Sequence, residues 1–457
     1  MSTGAYPEPH RAHWPRWWVV WLLLGLMAAA GLVLGIGIGV DRTFFSGQTE
    51  YAWPPEPCVV QGINARCGTF RVPENRAKPD GRTIGLRVVV LPAQLETTPS
   101  VAFAYLAGGP GDAATKAALY EGGWQTSALT TSRDLLLVDQ RGTGGSKSNG
   151  GDVTQYGTRM AMEDLDAVRA ALGYRQLDVY GGSYGATAAQ IYLKLHPSRV
   201  HTLMLSGASA LDVPFFDRYA VNAQHALDQL AQLCASQPAC RKAFPGWERE
   251  FGELVKAWNA HPVQGMSGDE LASVVHVMQL NVTTAVSIPL LVSRAAKGDY
   301  GPLKHAGSGD LGVSLDLMGK SIWCNEPWTG LDARGPWDTD FDSYASARIT
   351  NFRRECSSVP RRTEPRSLWS FHTSSRVPVL ALVGGADPQD PLTNLSDLKR
   401  HFPDSRSVVL PHLGHQMNWG SGCDAMLANV AASATTKGLD TTSCVSQVVV
   451  PPFPLTD

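Results

Sequence analysis

The chain has 457 residues, of which 44% are hydrophobic, and a formal net charge of -2 at pH 7. A chain of this length can bury a large hydrophobic core. It can also form one large α/β domain with a second layer inserted into it. The hydrophobic content excludes a disordered chain. The near-neutral charge and scattered Lys and Arg residues give no electrostatic reason to expect nucleic-acid binding.

The first predicted element is an apolar segment near the N-terminus. Residues 17–40 (WWVVWLLLGLMAAAGLVLGIGIGV) carry no charged side chain, and Arg11 and Arg16 precede them. As a helix this segment would reach about 36 Å, enough to cross a hydrocarbon core about 30 Å thick. The positive-inside rule places residues 1–16 in the cytoplasm and the rest outside. We expect an uncleaved signal-anchor, with secretion after signal cleavage as the alternative.

Residues 41–57 form a predicted linker, which becomes polar and Pro-rich toward its end. All eight cysteines follow the apolar segment, on the predicted external side, and an even count there indicates disulfides. A zinc site is disfavoured because the sequence has no C-x-x-C pair. Sequence does not fix the connectivity, but the simplest pairing joins neighbours: Cys58–Cys67, Cys234–Cys240, Cys324–Cys356 and Cys423–Cys444.

Short apolar runs, most of them closed by glycine, predict the buried strands of a mostly parallel sheet. In chain order these runs cover residues 83–91, 101–109, 134–142, 177–182, 201–207, 377–388 and 405–415. Two amphipathic patterns, 158–173 and 185–197, predict helices between them.

The alternation of strands and helices is interrupted once. Residues 212–370 are helical in pattern, rich in tryptophan and broken by glycine and proline. We therefore expect an α/β core in two parts, residues 58–211 and 371–457, with a helical cap inserted between them.

The candidate nucleophile is Ser183, in the stretch LDVYGGSYGAT at 177–187. Gly181 and Gly185 complete a G-x-S-x-G pattern between a predicted strand and a predicted helix. Such a sharp turn lifts a serine above the sheet edge and tolerates only small flanking residues. A plain glycine-rich turn is the alternative.

A serine hydroxyl needs a base, and the base needs a carboxylate to orient it. His415 follows the last predicted strand and is the candidate base, with His412 as its rival. Asp387 follows the strand before it and is the candidate acid, although Asp390 is only three residues away. The resulting chain order is serine, aspartate, histidine.

The glycine-rich loop at 107–112 (AGGPGD) follows a predicted strand upstream of the serine. Glycines there allow backbone N–H groups to point into the site without a Cβ in the way. We expect the N–H groups of Gly109 and Tyr184 to form an oxyanion hole; an ordinary turn is the alternative.

Five motifs together resemble the serine peptidase branch of the α/β-hydrolases. They are GGPG at 108–111, DQRGTGGS at 139–146, GGSYG at 181–185, GGADPQDP at 384–391 and GHQ at 414–416. This branch holds the prolyl aminopeptidases and the secreted bacterial tripeptidyl aminopeptidases. The terminal cysteine pairs look more like the secreted type. The resemblance implies an α/β-hydrolase fold with an inserted cap, the triad Ser183, Asp387 and His415, and the oxyanion hole named above.

In this family a cap acid holds the free amino terminus of the substrate. The segment SIWCNEPW at 321–328 looks like the corresponding region, which makes Glu326 the candidate; the alternative is a surface acid beside Cys324. The chain departs from the family pattern in two places. Ala107 stands where many relatives have histidine, and Gln389-Asp390 replaces the usual apolar–Thr pair. Both departures concern the pocket, so they bear on the substrate more than on the chemistry.

The sequence thus predicts a membrane-anchored, outward-facing serine hydrolase that acts on peptides with a free amino terminus. It would be an aminopeptidase of tripeptidyl or prolyl type, needing no metal or organic cofactor. One alternative is a carboxylesterase or lactonase with the same triad. Another is a catalytically silent, membrane-anchored binding protein.

Overall fold

The structure, a computed structural model, describes residues 51–456 except 96–99, 122, 148–149, 307–315, 372–373 and 418–419. The predicted signal-anchor and most of the predicted linker lie outside the described residues. Within the described part, every helix is too short or too polar to cross a bilayer.

The described strands form a nine-stranded sheet. In chain order they are β1 (Glu56–Val60), β2 (Ile63–Pro73), β3 (Thr83–Leu91), β4 (Val101–Leu106), β5 (Leu135–Val138), β6 (Gln176–Gly182), β7 (Val200–Ser206), β8 (Val379–Gly384) and β9 (Ser405–Leu410). Their order across the sheet is β1-β2-β3-β5-β4-β6-β7-β8-β9. In this order, the first three neighbouring pairs (β1–β2, β2–β3 and β3–β5) are antiparallel. The remaining five pairs, from β5–β4 to β8–β9, are parallel.

Two of the parallel strands, β5 and β8, are continuous apolar runs, which is typical of strands buried on both faces. Every residue of β5 (LLLV) and of β8 (VLALVG) is buried. The register aligns the strand ends: Leu106 lies opposite Gly181, and Gly182 lies opposite Ser206. The loops after β4, β6, β8 and β9 therefore emerge at one edge, where binding sites form in open α/β sheets.

Two helices of the first part of the α/β core, one before β6 and one after it, pack against the sheet. α1 (Thr158–Ala171) buries Met162, Leu165 and Val168 and is followed by Gly173 at φ 82°. α2 (Tyr184–Leu195) starts directly at the end of β6 and ends before Pro197.

The chain between β7 and β8 is helical, as the sequence predicts. Its longer helices are α3 (Tyr219–Ser236), α4 (Pro238–Ala243), α5 (Trp247–Ala260), α6 (Gly268–Gln279), α7 (Ile288–Ala296), α8 (Gly301–Ala306), α9 (Leu317–Asn325) and α10 (Asp342–Glu355). After β9 comes α11 (Ser421–Ser433), and the short helical turns are Ala114–Lys116, Val282–Ala285, Leu398–His401 and Thr442–Val445.

Two strands, β1 and β2, are absent from the sequence prediction. β1 is a largely exposed edge strand, and β2 alternates irregularly between exposed and buried residues, so neither shows a continuous apolar run. β1 begins at Glu56, which shortens the linker predicted to reach residue 57. Two of the predicted strands are also too long: β4 ends at Leu106 and β9 at Leu410, because the predicted runs take in the first residues of the following loops, AGG at 107–109 and PHLGH at 411–415.

The four disulfides join neighbouring cysteines, which matches the simplest pairing. Cys58–Cys67 ties β1 to β2, while Cys234–Cys240 and Cys324–Cys356 lie in the helical insertion. Cys423–Cys444 fixes the C-terminal segment to α11.

Candidate active site

Ser183 occupies a strained turn between β6 and α2. Its backbone has φ 56° and ψ -128°, a conformation that residues other than glycine rarely adopt. The turn is held by hydrogen bonds on both sides. The Ser183 N–H donates to the Ser206 carbonyl at 2.8 Å, and its carbonyl accepts from the Ala186 N–H at 2.8 Å. This geometry is that of a nucleophile elbow.

The two flanking glycines are required by close backbone approach. A Cβ on Gly181 would lie 2.1 Å from the Gly185 carbonyl oxygen. A Cβ on Gly185 would lie 2.2 Å from the carbonyl oxygen of Leu106, at the end of β4. The G-x-S-x-G spacing thus reflects the packing of the elbow between two strands, as expected from the sequence.

The structure brings Ser183, His415 and Asp387 into one hydrogen-bonded chain. His415 Nε2 lies 2.8 Å from Ser183 Oγ. His415 Nδ1 lies 3.0 Å from Asp387 Oδ2 and 3.2 Å from Asp387 Oδ1. Asp387 follows β8 and is fully buried, while His415 follows β9. The rival His412 faces a different cavity, which it shares with Gln279 and Ala386.

Two neighbouring carboxylates, Asp387 and Asp390, raise the pKa of His415. Burial alone would lower the pKa of His415, but the charge and hydrogen bond of Asp387, together with the charge of Asp390, raise it to about 9. These groups therefore favour the imidazolium that forms when the ring takes a proton.

Asp390, which the sequence analysis treats as a rival to Asp387 and as a departure from the family pattern in the pocket, lies beside His415. Its Oδ2 lies 3.6 Å from His415 Nδ1, and the residue is buried. Burial raises the pKa of Asp390 to about 7, an effect that His415 opposes and Asp387 reinforces. Its position three residues after Asp387, in the same turn, is the signal that could have identified it.

The loop after β4 lies against the elbow. A Cβ on Gly108 would be 3.2 Å from the Ser183 Cβ, and Gly109 has φ 104°, which favours glycine. Tyr184 is the first residue of α2, so its N–H has no partner within the helical ladder. Gly108 thus packs against the serine, and Gly109 and Tyr184 line the same cavity as Ser183.

A cavity of about 380 Å³ opens above these groups. Three aromatic side chains from the region between β7 and β8 line it, namely Phe215, Trp323 and Trp328. The acidic and basic side chains in its wall belong to Asp112, Asp390, Arg348 and His415. A concave site with apolar walls and a few polar groups is typical of small-ligand binding.

Glu326 does not line this cavity in the structure, and its role as a substrate anchor stays a prediction from the sequence. Glu326 is 4% exposed and lines a separate cavity that does not contain Ser183. Its Oε1 accepts from the Thr158 N–H at 2.6 Å. Its Oε2 accepts from the Thr158 hydroxyl at 2.7 Å and from Trp328 Nε1 at 3.0 Å. These bonds leave little capacity for a substrate ammonium group.

Glu326 instead joins the helical insertion to the core. Thr158 is the first residue of α1, so the carboxyl group sits at the positive end of that helix. The Thr158 hydroxyl also lies 2.8 Å from the hydroxyl of Tyr184. The chain of contacts therefore runs from Glu326 through Thr158 to Tyr184, the residue beside Ser183.

The DQRGTGGS segment braces the core. Arg141 is fully buried and donates to Asp164 from Nε at 2.7 Å and from Nη2 at 2.8 Å. Asp139 accepts from the Thr115 N–H and the Gly145 N–H, both at 2.9 Å. Neither residue lines the cavity above Ser183.

A protein-family model described as the alpha/beta hydrolase fold matches residues 106–421, which is well over half of the chain. Serine protease Hip1 of Mycobacterium tuberculosis is 27% identical over 281 residues, covering 48% of this chain and 52% of that protein. Proline iminopeptidase of Xylella fastidiosa is 37% identical over 73 residues, covering 16% of this chain and 23% of that protein.

Among solved structures, the crystal structure of proline iminopeptidase from Mycobacterium smegmatis aligns with a TM-score of 0.39 and 17% identity, covering 80% of this chain and 98% of that chain. The chain spans about half the length of Hip1 and a smaller part of the Xylella enzyme. The predicted resemblance to α/β-hydrolase serine peptidases is confirmed, and the chain belongs to the α/β-hydrolase fold family.

Proposed function

We propose that the protein is a serine hydrolase that cleaves peptides from their amino end through an acyl-enzyme on Ser183. The observation that carries the proposal is the unbroken chain of contacts from Ser183 Oγ to His415 Nε2 at 2.8 Å and from His415 Nδ1 to Asp387 Oδ2 at 3.0 Å. This arrangement is what acyl transfer by a serine requires.

In the proposed reaction, Ser183 Oγ attacks the substrate carbonyl carbon while His415 Nε2 accepts the hydroxyl proton. Asp387 holds the ring orientation and stabilises the imidazolium. The oxyanion accepts hydrogen bonds from the N–H groups of Gly109 and Tyr184. His415 then gives its proton to the leaving amine as the carbon–nitrogen bond breaks. Water, deprotonated by His415, attacks the ester and releases the peptide acid and free Ser183.

The preference for a free amino terminus rests on the resemblance to aminopeptidases and on the charges in the cavity. With Glu326 engaged by Thr158 and Trp328, the carboxylate best placed to meet a substrate ammonium is Asp112. Asp112 is exposed, and its Cγ lies 3.5 Å from the position a Cβ on Gly109 would occupy. An ammonium near the scissile carbonyl would therefore fall within reach of this acid.

A substrate panel tests this proposal. Aminoacyl and tripeptidyl amides with free and acetylated amino ends are compared with short acyl esters. We expect turnover of free-amine amides, with kcat/KM about tenfold or more lower when the amine is blocked. Asp112→Asn should remove that difference by raising KM for the free-amine substrates only. Turnover of esters alone would favour the carboxylesterase or lactonase function instead.

We further propose that the enzyme works outside the cytoplasm. Four disulfides among the described residues are typical of an oxidising compartment. The signal-anchor over residues 17–40 stays a prediction from the sequence; it is tested by whether the mature protein in cell membranes retains its N-terminal residues.

A further inference from the structure

A second carboxylate faces the ring nitrogen that the triad acid also faces. Asp387 Oδ2 lies 3.0 Å from His415 Nδ1, and Asp390 Oδ2 lies 3.6 Å from the same atom. Both acids are buried. In the described part of the chain, these two residues are the acids within ion-pair distance of His415. The reaction as proposed uses only one of them.

The turn after β8 gives the two acids different partners. Asp387 Oδ1 accepts from the N–H groups of Gln389 at 2.8 Å and of Asp390 at 2.9 Å, leaving Oδ2 for the imidazole. Asp390 Oδ1 accepts from the Ser209 hydroxyl. That hydroxyl in turn accepts from Asn394 Nδ2 at 2.8 Å. Asp390 is thus held in place by contacts independent of Asp387 Oδ2.

Other charged groups approach His415 from the surrounding elements. Burial, together with the charges of Arg348 and His415, holds the pKa of His276 in α6 well below its usual value, so this ring stays neutral. Arg348 in α10 contributes a guanidinium group to the cavity above Ser183. Asp112 lines the same cavity from the loop after β4. Asp390 is therefore the acid besides Asp387 whose charge acts on the imidazole at close range.

We propose that Asp390 is a positioning residue that acts through His415, stabilising its imidazolium and so setting the lower pH limit of the reaction. The proposal rests on the proposed function, in which His415 is the general base. A base must be neutral to accept the serine proton, so a nearby anion moves the onset of activity to higher pH. The two groups interact closely enough to titrate as a pair.

Asp390→Asn tests the proposal with a readout that does not need turnover. The substitution keeps the shape of the side chain and removes its charge. NMR of ring-labelled histidine in the full-length protein, with His415→Gln for assignment, gives the pKa of His415 directly. We expect this pKa to fall by about one unit or more in Asp390→Asn. The acid limb of the kcat/KM profile should move by the same amount.

Asp397→Asn is the matched control, because Asp397 is an exposed acid that pairs with Arg400. This substitution also removes one carboxylate charge, but it should leave the pKa of His415 unchanged. Ser209→Ala gives a second route if Asp390→Asn does not fold. Without the Ser209 hydroxyl, Asp390 ionises less readily, so the pKa of His415 should fall in the same direction by a smaller amount.

The proposal is overturned if the pKa of His415 is the same in Asp390→Asn as in wild type. If Asp390→Asn does not fold, an unchanged pKa of His415 in Ser209→Ala overturns it instead. Asp390 would then be a packing residue. If the titration moves but the acid limb of kcat/KM does not follow it, the assignment of His415 as general base fails instead.

Discussion

Neutralising Glu326 should change how the stability of the protein depends on pH. Burial raises the pKa of Glu326 from its ordinary 4.5 to about 7, against hydrogen bonds from Thr158 and Trp328 that lower it. The folded protein therefore holds this proton more tightly than the unfolded chain. The resulting stability is fully present below pH 4.5 and is lost as pH rises to 7.

The size of this effect follows from the shift. About 2.5 pKa units correspond to about 3 kcal/mol of stability, lost between the two pKa values. In Glu326→Gln this dependence disappears. The new amide N–H₂ would face the Trp328 Nε1–H donor, and the lost hydrogen bond costs about 1 kcal/mol at every pH. The variant should thus be about 1 kcal/mol less stable than wild type below pH 4.5, and about 2 kcal/mol more stable above pH 7.

Urea unfolding with the disulfides intact, followed by fluorescence between pH 4.5 and 8, measures both curves. The free energies of unfolding of wild type and Glu326→Gln should cross within this range. Glu253→Gln serves as a control, since Glu253 is an exposed acid of α5 paired with Arg249. Parallel curves for wild type and Glu326→Gln would refute the reasoning, because they would mean that Glu326 ionises alike in the folded and unfolded states.

Two further substitutions test the triad acid and the core brace. Asp387→Asn should lower kcat by about 10⁴-fold with little change in KM, because the amide favours the wrong tautomer of His415; a loss below tenfold in steady-state assays would remove Asp387 from the triad. Arg141→Ala should lower the free energy of unfolding by about 3 kcal/mol, since it removes the bidentate partner of buried Asp164 and leaves Arg76 as its remaining ion pair. If the denaturation midpoint of Arg141→Ala equals that of wild type within error, the Arg141–Asp164 ion pair does not stabilise the core.

The parts of the site that the sequence predicted are those determined by local constraints. The elbow follows from the spacing of Gly181 and Gly185 around Ser183, because each glycine avoids a backbone clash. Asp387 and His415 follow from the topology, because the carboxyl ends of adjacent parallel strands meet at one edge. Strand boundaries are predicted less accurately, since scattered apolar and glycine residues continue past the end of the hydrogen-bonded ladder into the loops.

The parts that the sequence did not predict depend on long-range packing. Glu326 and Thr158 are 168 residues apart, and only the docking of the insertion on α1 brings them together. A surface acid, a substrate anchor and a buried link all fit the same local sequence. The nearness of Asp390 to His415 depends in the same way on side-chain direction within a turn, which residue spacing does not determine.

The most direct test of the central claim is covalent labelling of the nucleophile. Wild-type protein is treated with a fluorophosphonate probe, digested and mapped by mass spectrometry beside Ser183→Ala, which should fold with an unchanged Tm. The account predicts one adduct, on Ser183, and its loss together with hydrolase activity in the variant. An adduct on another serine, or full activity in Ser183→Ala, would contradict it.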